Sequence, residues 1–236
     1  METNKDPVIP KSLTFVTGDK GGVGKSFFAR TLAQHKIDTK QAFRAFDIDP
    51  VNPNLHQFYP EHTTALDIDE EGALDAIRDA LDSHPQILVD CAARSIVELD
   101  AWFRDLGIIE EKKGLYLAIT FIFVITPDKS CTAIINDALE RFGYDAQYLV
   151  VKNLAKGKDF SIYDHSKLRE RLLKEYDAKE IVLPRLLERT VVLLDRNDLD
   201  FGSAQSSPLT TSADRSRVTG YLNRVYAQFE TVKERI

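Results

Sequence analysis

Three glycines set between two lysines, directly behind a short apolar run, leave this chain few choices of fold. Leu13 to Thr17 is apolar, aromatic and β-branched, which predicts a strand. Gly18 to Lys25 follows as a glycine-rich turn, and Ser26 to Lys36 has the composition of a helix. Gly21, Gly22 and Gly24 allow the backbone to turn through positive φ and to approach an anion closely. Successive backbone N–H groups then form a nest for that anion, and the helix N-terminus adds free donors and partial positive charge. Lys25 supplies a mobile full charge, and the Ser26 hydroxyl stands where it can ligate Mg²⁺. The cradle residues are Gly21, Gly22, Val23, Gly24, Lys25, Ser26 and Phe27.

Strand, glycine turn and helix in this order make the phosphate-binding loop of P-loop NTPases. Gly18 to Gly24 encloses one residue too many for the usual G-x4-G-K-[ST] spacing. Counted from Asp19 the spacing fits, with Asp in the first glycine position. The full run Lys20-Gly21-Gly22-Val23-Gly24-Lys25-Ser26 resembles the deviant Walker A motif, KGGxGK[ST], of the ParA/MinD family of ATPases. That resemblance implies an ATP- and Mg²⁺-dependent ATPase whose first lysine, here Lys20, reaches across a nucleotide-sandwich homodimer to the partner's phosphates.

The second predicted strand, Gln41 to Ile48, runs into Asp47-Ile48-Asp49-Pro50. Two carboxylates two residues apart at a strand's C-terminal end share one mouth. In an open α/β sheet that mouth is where ligand binds. Asp-x-Asp-Pro resembles the family's A′ motif, which implies that Asp49 orients the attacking water and Asp47 supports the Mg²⁺ shell. Val51 stands where the family usually has Gln. Ile87-Leu88-Val89-Asp90 is an apolar strand ending in Asp, the Walker B pattern, and makes Asp90 a Mg²⁺ residue. By the same resemblance, Asn153 at a strand end contacts the adenine edge, and Pro184 and Arg185 after Ile181-Val182-Leu183 border the base.

Between these motifs, strands and helices alternate. Helices are expected over Glu71–Leu81, Ser95–Leu106, Ser130–Phe142, Lys167–Tyr176, Arg185–Arg196 and Ala213–Arg235. The most apolar stretch, Gly114 to Thr126, reads as a central strand, and Asp145 to Val151 as another. Val51–Asp69 reads as irregular, with His56 and His62 at the surface. Asp198–Thr211 is polar and reads as a loop open to mobility or partner contact. The predicted class is α/β, a P-loop NTPase with a mostly parallel central sheet and helices on both faces. A flexible N-terminal arm, residues 1–11, is expected ahead of one ATPase domain, residues 12–236.

Composition narrows the functional classes. The 236 residues are 43% apolar and 29% charged, which suits one sizeable core. No stretch approaches the ~20 apolar residues of a membrane span, and the first residues lack a signal-peptide core, so a cytoplasmic location is expected. Cys91 and Cys131 are too few and too far apart for a disulfide framework. A net charge of −6 argues against a generally nucleic-acid-coating surface and leaves room for a local basic patch.

The resemblance implies an ATP-dependent dimerising switch that positions or segregates cargo by nonspecific DNA binding, with a small activator or adaptor protein as partner. Lys156, Lys158, Arg215, Arg217 and Arg224 are the candidate DNA contacts. A plasmid-stability or conjugative-transfer accessory ATPase is a close variant. Two further readings share the fold. A metal-centre or metabolic ATPase needs cysteines placed to bridge a cluster. A membrane-cycling division-site regulator needs a basic amphipathic tail, and Lys233-Glu234-Arg235-Ile236 is too short and too mixed in charge for one.

Overall fold

The computed structural model describes residues 10–236. In chain order the elements are β1 (Lys11–Thr17), α1 (Lys25–Asp38), β2 (Arg44–Asp47), α2 (Asn54–Phe58), β3 (Thr63–Ala65), α3 (Asp75–Ala80), β4 (Gln86–Asp90), α4 (Ile96–Asp105) and α5 (Ile108–Leu115). They continue with β5 (Leu117–Ile125), α6 (Cys131–Phe142), β6 (Gln147–Asn153), α7 (Ser161–Asp164), α8 (Lys167–Glu175), β7 (Lys179–Leu183), α9 (Glu188–Arg196) and α10 (Ser212–Phe229). The seven strands form one sheet in the order β3-β2-β4-β1-β5-β6-β7, and every neighbouring pair is parallel. Parallel neighbours need crossover connections, and the helices that supply them cover both faces.

The strand sequences alternate between two buried cores. Leu13 and Phe15 of β1, with Ile119, Phe121 and Phe123 of β5, pack on one side beneath α4, α6 and α8. Val16, Ile122 and Val124 pack on the other side against Phe28 and Leu32 of α1 and Val218, Tyr221 and Val225 of α10. β1 lies in the middle of the sheet, so the glycine turn that leaves it opens at the centre of the C-terminal edge.

Several expectations need correction. Lys11 already belongs to β1, so the arm is shorter than residues 1–11 by that residue. Of the rest of the expected arm, Pro10 is exposed and residues 1–9 lie outside the described residues. The strand expected from Gly114 begins at Leu117, because Gly114 and Leu115 close α5, a helix the sequence reading omitted. Tyr116, at φ 51, makes the turn between them. The stretch Val51–Asp69 is not irregular: it carries α2 and β3. The Asp198–Thr211 segment is tied down rather than loose. Phe201 and Ala204 are buried in it, the Phe201 N–H donates to the Tyr59 hydroxyl at 3.3 Å, and Arg215 donates to the carbonyls of Ser207 and Thr210 at 3.0 and 2.9 Å. α10 ends at Phe229, and Glu230–Arg235 continues as a 3₁₀ turn. It starts on a capping box, in which Thr211 and Asp214 satisfy each other's backbone N–H groups.

Candidate nucleotide site

β1 delivers the chain to the sheet edge, and the turn from Gly18 to Gly24 brings it to α1. Gly22 (φ 76) and Gly24 (φ 106) hold left-handed backbone, which side-chain-bearing residues reach only under strain. A methyl group on Gly24 would lie 2.4 Å from Asn153 Nδ2. Gly24 directly precedes the first turn of α1, so the free amides of that turn face the cradle.

The two lysines of the loop are differently placed. Lys25 is buried, and its ammonium donates to the Lys20 carbonyl at 3.3 Å. Lys20 is exposed, and its ammonium donates to Asp128 Oδ2 at 2.8 Å, outside the cradle.

β2 and β4 are neighbours, and their register sets Asp47 directly beside Asp90. Both are fully buried. Neither carboxylate oxygen of Asp90 has a hydrogen-bond partner. Burial, and then the neighbouring Asp47, push its pKa far above the usual carboxylate range, while the Ser26 hydroxyl and the Lys25 ammonium pull the other way. An unpartnered buried carboxylate facing a serine hydroxyl and a phosphate cradle fits a hydrated Mg²⁺. Among the described residues no group of three or more His, Cys, Asp or Glu is able to hold a metal ion alone. A cation here would lean on nucleotide phosphates and Ser26.

Asp47 has a structural task as well. Its carboxylate accepts the N–H groups of Leu55 (2.7 Å), His56 (3.2 Å) and Asp49 (3.2 Å). It thereby organises the start of α2. Burial raises its pKa to about 6, against the pull of these N–H groups. Asp49 Oδ1 accepts from the N–H groups of Val51 and Asn52 at 3.1 and 3.0 Å, which fixes the loop after β2.

A cleft of about 430 Å³ runs from the cradle along α1 to α9. Gly22, Gly24, Lys25, Ser26, Phe27, Asn153, Pro184 and Arg185 line it, so the expected base-side residues meet the loop in one place. Gly21 and Val23 belong to the same turn, Gly21 exposed and Val23 buried. Asn153 is placed there as a brace. Its Nδ2 donates to the Val23 carbonyl at 2.8 Å, and its Oδ1 accepts the Ala155 N–H at 3.0 Å.

The cleft also contains residues that the sequence reading did not single out, chiefly Asn54, Glu188, Val191, Asp195 and Arg30. Arg30 is buried, its guanidinium lies 3.4 Å from the Phe58 ring centroid, and it pairs with Asp195 at 3.0 Å. At helical spacing Arg30 shares a face with Gln34 and Asp38, so nothing in the sequence marks it as buried. Lys156, a candidate DNA contact, is exposed and lines this cleft. Of the other DNA candidates, Arg215 is spent on the carbonyls of Ser207 and Thr210, and Arg217 pairs with Asp214 at 3.1 Å. Lys158 and Arg224 are exposed. Cys91 and Cys131 are free and buried. No helix among the described residues is long and apolar enough to cross a membrane.

No family model matches the chain. In sequence it is 24% identical over 187 residues to Protein MobD of Acidithiobacillus ferrooxidans, covering 76% of this chain and 80% of that protein. In structure it is similar to a nucleotide-binding protein of Archaeoglobus fulgidus in complex with ADP, at TM-score 0.55 and 17% identity, covering 81% of this chain and 88% of that one. It is also similar to chloroplast FtsY of Physcomitrella patens, at TM-score 0.52 and 15% identity, covering 74% of this chain and 58% of that one. The parallel sheet, the central glycine turn and these likenesses together make the chain an α/β protein of the P-loop NTPase fold.

Proposed function

We propose that the chain is a Mg²⁺-dependent ATPase that works as a dimerising switch, and that the switch positions or segregates cargo. The observation that carries this reading is the division of labour between the two loop lysines. Lys25 lies buried inside its own cradle, while Lys20 stands exposed outside it. A lysine so placed can serve a second chain's nucleotide once it leaves Asp128.

On this reading the loop amides and Lys25 grip the β- and γ-phosphates and offset the charge that develops in transfer. Magnesium, when bound with the nucleotide, neutralises phosphate charge, with Ser26, Asp90 and Asp47 as the residues that hold or support it. Asp49 orients the attacking water. Asn153 keeps the loop in shape, and Pro184 and Arg185 border the base. Lys20 completes the partner's site, so neither chain is fully competent alone. ATP then favours the dimer by its differential contacts, and hydrolysis releases it.

The cargo step rests on nonspecific DNA binding by the dimer and on a small activating partner. Lys158 and Arg224 are the DNA candidates with exposed side chains not engaged elsewhere in the site. An accessory role in plasmid stability or conjugative transfer is the second reading, and the likeness to Protein MobD is what favours it.

Light scattering with ATP and Mg²⁺, with and without DNA, tests the proposal on the wild type, Asp49→Ala and Lys20→Ala. Asp49→Ala is expected to accumulate as an ATP dimer, and Lys20→Ala to stay monomeric or to hydrolyse poorly. DNA binding by the trapped dimer should fall steeply with salt. Absence of an ATP-dependent dimer in every variant would overturn the shared-site mechanism.

A further inference from the structure

β1 is paired with β5 along its whole length, with Thr17 beside Phe123. The loop that leaves β1 and the turn that leaves β5 therefore emerge side by side. The β5–α6 turn presents Asp128, and its carboxylate is built in rather than dangling. Oδ2 accepts the buried Thr126 hydroxyl at 2.6 Å, and Oδ1 accepts both the N–H (3.2 Å) and the hydroxyl of Ser130. The fourth donor is the Lys20 ammonium at 2.8 Å. A carboxylate fixed by three local donors offers a ready-made seat for a single cation.

We infer that Asp128 is a positioning residue that stows Lys20 on its own chain and surrenders it to the partner's nucleotide. The inference rests on the shared-site reading above. Both side chains are about half exposed, 48% for Lys20 and 42% for Asp128. An exposed pair of this kind is weak and water-screened. It is strong enough to bias a flexible lysine and weak enough to be exchanged for a triphosphate, which carries several negative charges. Electrostatics agree with the geometry. The Lys20 ammonium holds the Asp128 carboxyl below its usual range, and Asp128 raises the Lys20 pKa in return.

Two consequences distinguish a stow from a passive surface pair. While Lys20 is seated, it is kept from its own cradle, so a lone chain does not complete its own site. Dimerisation must also break the pair, which raises the dimer dissociation constant. Removing the Asp128 charge therefore tightens the nucleotide-bound dimer, and it does so only through Lys20.

The experiment is sedimentation equilibrium of the full chain with Mg²⁺ and a non-hydrolysable ATP analogue, on wild type, Asp128→Asn, Lys20→Ala and the double variant. Asp128→Asn keeps the side-chain shape, and its amide retains an acceptor for Thr126 or Ser130, so the turn is preserved. A thermal midpoint without nucleotide checks that. Each dimer breaks two such pairs, one per chain, so the dimer dissociation constant is expected to fall about two- to thirtyfold in Asp128→Asn. Lys20→Ala is expected to stay monomeric or nearly so, and adding Asp128→Asn to it should not restore the dimer. A dimer that is unchanged or weakened by Asp128→Asn overturns the stow and leaves the shared site standing. A dimer that Asp128→Asn restores or tightens in the Lys20→Ala background overturns it as well. A wild type that never dimerises with the analogue removes the shared-site reading, and the stow with it.

Discussion

Replacing Asn153 by alanine separates two roles for this residue. If it reads the base, its loss shifts nucleotide preference and leaves the empty protein as stable as before. If it braces the loop, its loss is felt without nucleotide. Asn153 is 3% exposed, and its amide joins Val23, in the turn after β1, to Ala155, just beyond β6. Truncation strips the buried Val23 carbonyl of its donor, at a cost of about 1–3 kcal/mol. The Ala155 N–H belongs to an exposed residue and can turn to water, so it adds little. The vacated volume adds about 1 kcal/mol. The sum, about 2–4 kcal/mol, lowers the melting temperature of a chain this size by on the order of 10 °C. Differential scanning calorimetry without nucleotide reads the effect, and ATP affinity should weaken in parallel as the cradle loosens. An unshifted melting temperature together with a changed preference between ATP and GTP would refute the brace.

Gly24→Ala places a methyl group 2.4 Å from Asn153 Nδ2 at a φ of 106, so it should weaken ATP binding about tenfold or more, as measured by calorimetric titration. Lys36 is buried, its ammonium donates to the side-chain oxygens of Gln86 (2.8 Å) and Gln41 (3.5 Å), and burial lowers its pKa from 10.5 to about 8. Between those values the unfolded chain binds more protons, so stability rises with pH. Denaturant unfolding of wild type relative to Lys36→Met should show a gain of roughly 2 kcal/mol between pH 7 and pH 9.5, and parallel curves would sink the assignment. Arg30→Ala removes the pair with Asp195 and the contact over Phe58, and should cost about 2–4 kcal/mol in urea unfolding.

The sequence made the cradle legible because its chemistry is local. Gly21 to Ser26 carry both the bend and the charge within one turn, and Asp90 ends an apolar run that reads as a strand by itself. The features that escaped reading depend on distant partners. α2 is started by the Asp47 carboxylate, which reaches the N–H groups of Leu55 and His56, so no residue at its own N-terminus announces it. Asn153 meets Val23 across 130 positions, and Arg30 meets Asp195 across 165. The start of β5 was misplaced because Tyr116 turns at positive φ, a conformation that a tyrosine does not advertise. The Asp198–Thr211 segment looked loose by composition, yet Arg215, Tyr59 and the burial of Phe201 hold it.

The place of β1 in the middle of the sheet has a consequence for how the protein is made. The strand leaves the ribosome well before the two strands that flank it. Phe15 pairs with Val89 and Phe121, roughly 75 and 105 residues further on, which at ~5–20 residues per second is a delay on the order of 5–20 s. Asn153, which secures the glycine turn, is synthesised later still. During this interval Leu13, Phe15 and Val16 lack their cover, and nascent-chain chaperones have their longest opportunity at that point. The glycine loop is therefore made long before the residue that secures it, and nucleotide can begin to stabilise the fold only once β6 and Asn153 have followed.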